Sequence, residues 1–284
     1  MKISIITINR NNAEGLRKTM QSVFSQSYHD FEYIVIDGAS TDNSVDTIRD
    51  FEKFQDLSSI SFKWQSEPDT GIYNAMNKGV RMSEGEYVLM LNSADVFCND
   101  KVIEKIIPLL DVDIVQGNII EEREGKWWRN RGYAKSDISF LDVQRGYFLH
   151  QAAFCKKSLF DKFGYFREDY RYVSDTIFFI KALGYGGASF KYVDIDIADF
   201  DTNGFSSSTD PKISFAYKEE EERMQTELFP GRLYAYCRDS ERKVVLYEML
   251  KKHNWAWKLT MCMKRICSMF DNYGKVPVKE LISE

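Results

Sequence analysis

Four short segments place small, polar and acidic residues directly after apolar, β-branched runs. Ile3–Ile8 leads through Thr7 and Asn9 to Asn11, and Tyr33–Ile36 leads into Asp37-Gly38-Ala39-Ser40. Ile60–Trp64 runs into Ser66-Glu67-Pro68-Asp69-Thr70-Gly71, and Tyr87–Leu91 ends in Asn92-Ser93-Ala94-Asp95. Each segment alone reads as an ordinary turn. Together they deliver carboxylates and hydroxyls to one rim, because ligands of an open parallel sheet bind beyond the carboxyl ends of its strands. The chain has no GxGxxG and no GxxxxGK[ST], so a dinucleotide fingerprint and a P-loop are both excluded. A phosphate ligand would then be met most simply by a divalent cation, Mn²⁺ or Mg²⁺, on a carboxylate such as Asp95.

The elements that must position these residues follow from periodicity. The apolar runs alternate with helical patterns: Leu16, Met20, Val23 and Phe24 share one face, as do Val45, Ile48 and the stretch from Phe51 to Phe54. Thr41 or Asp42 is expected to cap the second helix, and Asn99 or Asp100 a helix through Leu110. This rhythm predicts an α/β fold, a mostly parallel sheet flanked by helices. After about residue 118 it breaks. A hairpin is expected around the charged turn 121–125, helices at Ser158–Phe163 and Asp175–Leu183, a strand at Phe190–Ile197 and a Gly/Ser loop at Asn203–Ser208. An acidic helix at Lys212–Leu228 and a helix or helix pair at Glu241–Phe270 complete the expectation. The organisation read from this is an α/β half of nucleotide-binding type at 1–118, a second half of the same domain at 119–210, and a helical C-terminal extension at 211–284.

With 284 residues and a net charge of −5, the chain can bury a sizeable core. No apolar run reaches the ~18 residues of a transmembrane helix, and the N-terminus reads as a strand rather than a signal peptide. The charge is uneven. Residues 242–265 carry seven basic side chains against Glu248, so this window is +6 and the remainder −11. That balance excludes general nucleic-acid binding but suits a local anionic partner. Five cysteines, an odd number without CxxC spacing, argue for reduced thiols and a cytoplasmic setting.

The stretches SIITINRNNAEGLRKTMQSVFSQSYHDFEYIVIDGASTDNS, SEPDTGIYNAMNKGV, GEYVLMLNSADVF, GYFLHQAAF and VSDTIFFIKALGYG, in this order over residues 1–210, resemble family 2 glycosyltransferases of the GT-A fold. The resemblance is to the bacterial exopolysaccharide branch, including colanic-acid-type enzymes. It implies an inverting transfer from a nucleotide-sugar donor to a saccharide acceptor. It sets Thr7 and Asn9 near the nucleoside, Asp37 on base or ribose and Asp69 on the nucleotide. The NSAD segment, Asn92 to Asp95, stands in the family's DxD region, with Asp95 the metal ligand. Asp175 takes the place of the catalytic base, and His150-Gln151 stands in a shared motif, His150 either near the diphosphate or acceptor or a buried hydrogen-bonded histidine. Two departures stand out: Asn92 and Ala94 leave one carboxylate in the metal motif, and Ser174-Asp175 replaces a Glu-Asp pair. Three further DxD matches, at Asp111/Asp113, Asp194/Asp196 and Asp199/Asp201, lie out of register. The first two read as edge or cap carboxylates; the third, which precedes the Gly204 loop, reads first as structural, with an approach to the acceptor as the alternative.

One carboxylate opposite the leaving group gives single displacement with inversion. The aromatic, basic segment 242–270 (Trp255, Trp257 and Leu259 with Lys258, Lys264 and Arg265) is the candidate contact with an anionic membrane at its cytoplasmic face. A lipid-linked saccharide would fit such a site. Packing of this helix on its own domain or in a homodimer is the competing use. The competing function is a non-catalytic nucleotide-sugar-binding or membrane-docking module.

Overall fold

A computed structural model describes residues 2–53, 59–123, 125–146, 148–202 and 210–229, together with 252, 253, 255, 256, 258, 259 and 261–263. The expected loop at 203–208, Phe54 and most of the 241–270 segment lie outside the described residues. The chain forms two compact units, Met1–Leu228 and Phe229–Glu284.

The first unit is built on strands β1 (Ile3–Asn9), β2 (Glu32–Asp37), β3 (Ser61–Ser66), β4 (Tyr87–Met90), β5 (Val96–Phe97), β6 (Ile114–Arg123), β7 (Lys126–Asn130), β8 (Ala153–Lys156) and β9 (Phe190–Phe200). The sheet order is β3-β2-β1-β4-β8-β6-β9-β5, with β7 paired on β6. β3, β2, β1 and β4 run parallel. The side chains of β1, β2 and β4, buried on both faces, explain their continuous apolar runs, whereas edge strand β3 is only partly buried. β8 enters antiparallel between β4 and β6, and β6 pairs parallel with β9. The result is an α/β fold whose second half is mixed.

Helices α1 (Ala13–Phe24), α2 (Ser44–Glu52), α3 (Ile72–Met82) and α4 (Val102–Ile106) follow the first strands. Leu16, Met20 and Val23 of α1 join Ile48 of α2 and Val102, Ile103 and Ile106 of α4 in one core with Ile3, Ile5 and Val35. α3 lies close against β1. A Cβ on its Gly79 would meet Ile6 Cγ2 at 2.3 Å, so only glycine allows that approach. Helices α5 (Phe140–Arg145), α6 (Ser158–Phe163), α7 (Ser174–Phe179) and α8 (Pro211–Leu228) complete the unit. After α7 the chain widens into a π-helical stretch, Ile180–Tyr185.

Several boundaries differ from the sequence reading for local reasons. Asn43 caps α2, while the Asp42 carboxylate accepts the Ala13 and Ser44 N–H groups and so ties α2 to α1. The cap of α4 is Lys101, since Asn99 is spent on an Asx turn to the Lys101 N–H. Pro108, which lacks an N–H, confines the continuation to a 3₁₀ turn at Ile107–Leu109. The hairpin around 121–125 is present as β6–β7. β6 itself is far longer than the Ile114–Val115 run, because β7 and β9 flank its far end.

Candidate active site

The carboxyl ends of β1, β2 and β4 share an unusual backbone feature. Asn11 (φ 51°), Ala39 (φ 55°) and Ala94 (φ 83°) are the non-glycine residues with positive φ among the described residues, one beyond each strand. Such conformations persist only where surroundings over-determine them, and they concentrate at functional sites.

Asp37, fully buried at the end of β2, organises one side of the rim. Its Oδ1 accepts from Asn9 Nδ2 (2.9 Å) and the Ser40 hydroxyl, and its Oδ2 from the Ser40 N–H (2.9 Å) and the Ser66 hydroxyl (2.7 Å). Burial pushes this carboxyl up, yet the hydrogen bonds outweigh it and hold the group below its ordinary value. The ends of β1, β2 and β3 are thus laced through one anion. Asp69 folds over this turn. Its Oδ2 would lie 2.3 Å from a Cβ on Gly38, so the glycine makes room for it. Its Oδ1 accepts the Gly71 N–H, with the Arg10 guanidinium 4.0 Å away. Thr7 lies beneath the rim: its buried hydroxyl donates to Leu91 O and accepts from Tyr33.

The Asn92–Asp95 turn is clamped by α1. Thr19 Oγ1 accepts the Ala94 N–H (2.9 Å) and donates to Asp95 O (2.8 Å). Asp95 is 4% exposed, its Oδ1 accepts the Asp201 N–H, and burial pushes its pKa up to about 7. A proton or a cation is what such a group demands.

Across the rim, Asn92 Nδ2 lies 3.4 Å from His150 Nε2, and His150 Nδ1 lies 3.0 Å from Asp175 Oδ2. Tyr73 donates its hydroxyl to Asp175 Oδ1 (2.9 Å). Both carboxylate oxygens of Asp175 therefore have a donor. Burial pushes Asp175 up, but the His150 and Tyr73 hydrogen bonds win and its pKa falls below the usual value. Burial alone would lower His150, and its bond to Asp175 raises it instead. The 3₁₀ turn His150–Ala152 is held by Gln116, whose Oε1 accepts the Leu149 N–H. Gln151 is buried in that turn.

Asn9, Asp37 and Asp69 thus form one group, and Asn92, Asp95, His150 and Asp175 a second. Tyr73, Ser40, Ser66 and Thr19 join them without having been singled out. Ser40 and Ser66 stood inside the strand-end segments, and Tyr73 inside the DTGIYNAMNKG stretch; Thr19 looks like any helical core position. The out-of-register acidic pairs have other partners. Asp111 pairs with Lys191, Asp113 with Lys156 and Ser189, Asp194 with Arg131, and Asp196 with Arg129. Asp199 accepts from the Cys98 thiol, and Asp201 reaches the site through its backbone N–H. Among the described residues, Cys98, Cys155 and Cys262 are free thiols, and no three His, Cys, Asp or Glu side chains converge as a metal cluster.

The model of the family described as "Glycosyl transferase family 2" matches residues 4–174. A Mycobacterium tuberculosis protein described as an uncharacterized glycosyltransferase is 32% identical over 229 residues, covering 75% of this chain and 80% of that protein. A PGL/p-HBAD biosynthesis glycosyltransferase of the same organism is 27% identical over 210 residues, covering 72% and 79%. Among solved structures, S. aureus TarS 1–349 in complex with UDP-GlcNAc aligns with a TM-score of 0.63 at 20% identity, over 80% of this chain and 65% of that one. The mannosyltransferase PcManGT from Pyrobaculum calidifontis, in complex with GDP-Man and Mn²⁺, aligns at 0.55 and 15%, over 92% and 83%. At these identities the two structures share the fold.

Proposed function

The chain belongs to glycosyl transferase family 2, and we propose that it moves a sugar, with inversion, from a nucleoside-diphosphate donor to a saccharide acceptor in cell-surface polysaccharide synthesis. The observation that carries this reading is Asp175, a shielded carboxylate held by Tyr73 and His150 on the rim that also bears Asp95. A carboxylate kept ionised in a shielded site is suited to take the proton of an acceptor hydroxyl as that oxygen attacks the anomeric carbon. The C–O bond forms on one face while the bond to the diphosphate breaks on the other. With Asp175 as the base and the acceptor oxygen as the nucleophile, this single displacement inverts the anomeric centre.

The residues fit a divalent cation of modest intrinsic affinity. Asp95 offers a carboxylate, and Asn92 in the same turn has its Oδ1 buried without a hydrogen-bond partner, a hard oxygen donor. A bound Mn²⁺ or Mg²⁺ would neutralise charge developing on the leaving diphosphate. Asn9 Oδ1, likewise buried and unpartnered, is available to a donor's N–H near Asp37. Asp69 and the Thr7 strand end would frame the nucleotide. His150 and Gln151 lie where diphosphate and acceptor would meet.

No described helix is long and apolar enough to cross a membrane. Within the second unit, Trp255, Leu259 and Met263 are exposed at helical spacing, with Lys252 and Lys258 exposed beside them. This supports peripheral contact with an anionic cytoplasmic membrane face and a lipid-linked acceptor. The same stripe would serve a homodimer. The single carboxylate of the Asn92–Asp95 turn is the observation that favours a second reading, a nucleotide-sugar-binding module without turnover. Calorimetric screening of nucleotide sugars with Mn²⁺ tests the proposal. Binding of one donor, lost in Asp95→Ala, supports it, and the absence of any donor affinity would refute it.

A further inference from the structure

β6 rises past the catalytic rim. Its Gln116 is level with Ala153, directly after the His150 turn, and the strand continues six residues to Glu122, about 20 Å at ~3.3 Å per residue. Alternation puts Gln116, Asn118, Ile120 and Glu122 on one face. Gln116 uses that face to hold the His150 turn, whereas Ile119 turns the other way into the core. Cross-strand pairing adds Arg129, opposite Ile120, and Trp127, opposite Glu122. The face that begins beside His150 therefore ends on Trp127, a ring left 65% exposed.

Between the two ends lies a fixed polar ladder. Asn118, wholly buried, donates to Asp194 and Asp196 at 3.0 Å each. Asp196 accepts from Arg129 (2.6 Å) and Asp194 from Arg131 (2.7 Å). Each arginine is bound through one terminal nitrogen, and the side chains are 51% and 47% exposed. Two cations meet two anions, and Glu122 adds one negative charge beside Trp127, so the track holds no surplus of cations. Paired donors and acceptors without surplus positive charge, closed by an open aromatic ring, match a polyhydroxyl chain. They match neither an anionic membrane nor a nucleic acid.

We propose that this face of β6, β7 and β9 binds the acceptor, a saccharide several sugar units long whose distal part stacks on Trp127 and whose reacting end reaches Asp175. The assignment rests on the glycosyltransferase reading and adds the length of the acceptor. A printed array of bacterial surface glycans, followed by titration of the glycans it captures, tests it on the full chain. Wild type should bind oligosaccharides and not monosaccharides. Trp127→Ala should weaken that binding about tenfold, the loss of one aromatic stack, and Trp127→Phe should restore most of it. Nucleotide affinity by calorimetry should be unchanged in both. Equal glycan affinity in Trp127→Ala, no glycan bound by wild type, or loss of co-sedimentation with phosphatidylglycerol vesicles alone in the variant would each overturn the assignment. Failure of wild type to bind any nucleotide sugar would instead strike the donor reading, leaving the glycan titration to judge the track.

Discussion

His150 Nδ1 stands 3.0 Å from Asp175 Oδ2, while its other nitrogen faces Asn92, the first residue of the turn that ends in Asp95. One imidazole therefore joins the proposed base to the proposed diphosphate side. The raised His150 and the lowered Asp175 are two views of that bond.

Removing either donor from Asp175 should leave its carboxylate less firmly positioned and raise its pKa. Hydrogen bonds to a charged group contribute about 1.5–3 kcal/mol each. Tyr73→Phe and His150→Gln should therefore each lower kcat by about 10- to 100-fold. Asp175 is held below its ordinary pKa by these bonds, so each variant should move the acid limb of the pH–rate profile to higher pH. A profile unmoved in both variants would separate Tyr73 and His150 from the base.

Asp95 should make the free protein less stable as pH rises. Its folded pKa, about 7, lies above the unfolded value, so the native state keeps the proton longer. Stability falls as pH climbs from about 4 to about 7 and is level beyond. Asp95→Asn removes the buried charge. It should raise Tm at pH 8, with a gain on the order of 2–4 kcal/mol, and should change little at pH 4. Thermal unfolding at the two pH values, without divalent cation, measures the difference.

Gly38→Ala should act through Asp69. The new Cβ would collide with Asp69 Oδ2, displacing the carboxylate from over the β2 turn. Donor affinity should drop by about tenfold or more, with the fold retained, because only an exposed loop must move. Calorimetry against circular dichroism separates the two effects.

Alternation and strand-end chemistry disclose the parallel half of the fold and the rim carrying Asn9, Asp37, Asp69 and Asp95, because these are local patterns. Residues that act across the chain stay hidden. Tyr73 meets a carboxylate 102 positions away, and Thr19 clamps Ala94 and Asp95 from inside a helix that reads as plain core. Thr7 shows the converse. Its place at a strand end suggests a ligand contact, yet its side chain points inward, since period-two alternation leaves its hydroxyl beside Leu91 O. The long β6 was concealed because charged residues such as Glu121 and Glu122 pair across a ribbon instead of ending a strand.

In the proposed reaction Asp175 accepts the acceptor's proton. Asp175→Asn keeps the shape and removes the base. Release of nucleoside diphosphate should be measured with a bound nucleotide sugar and a cell-envelope extract as acceptor source, beside calorimetric donor affinity. Donor affinity should stay at the wild-type level while extract-stimulated release is abolished. Release at the wild-type rate in Asp175→Asn would contradict Asp175 as the base.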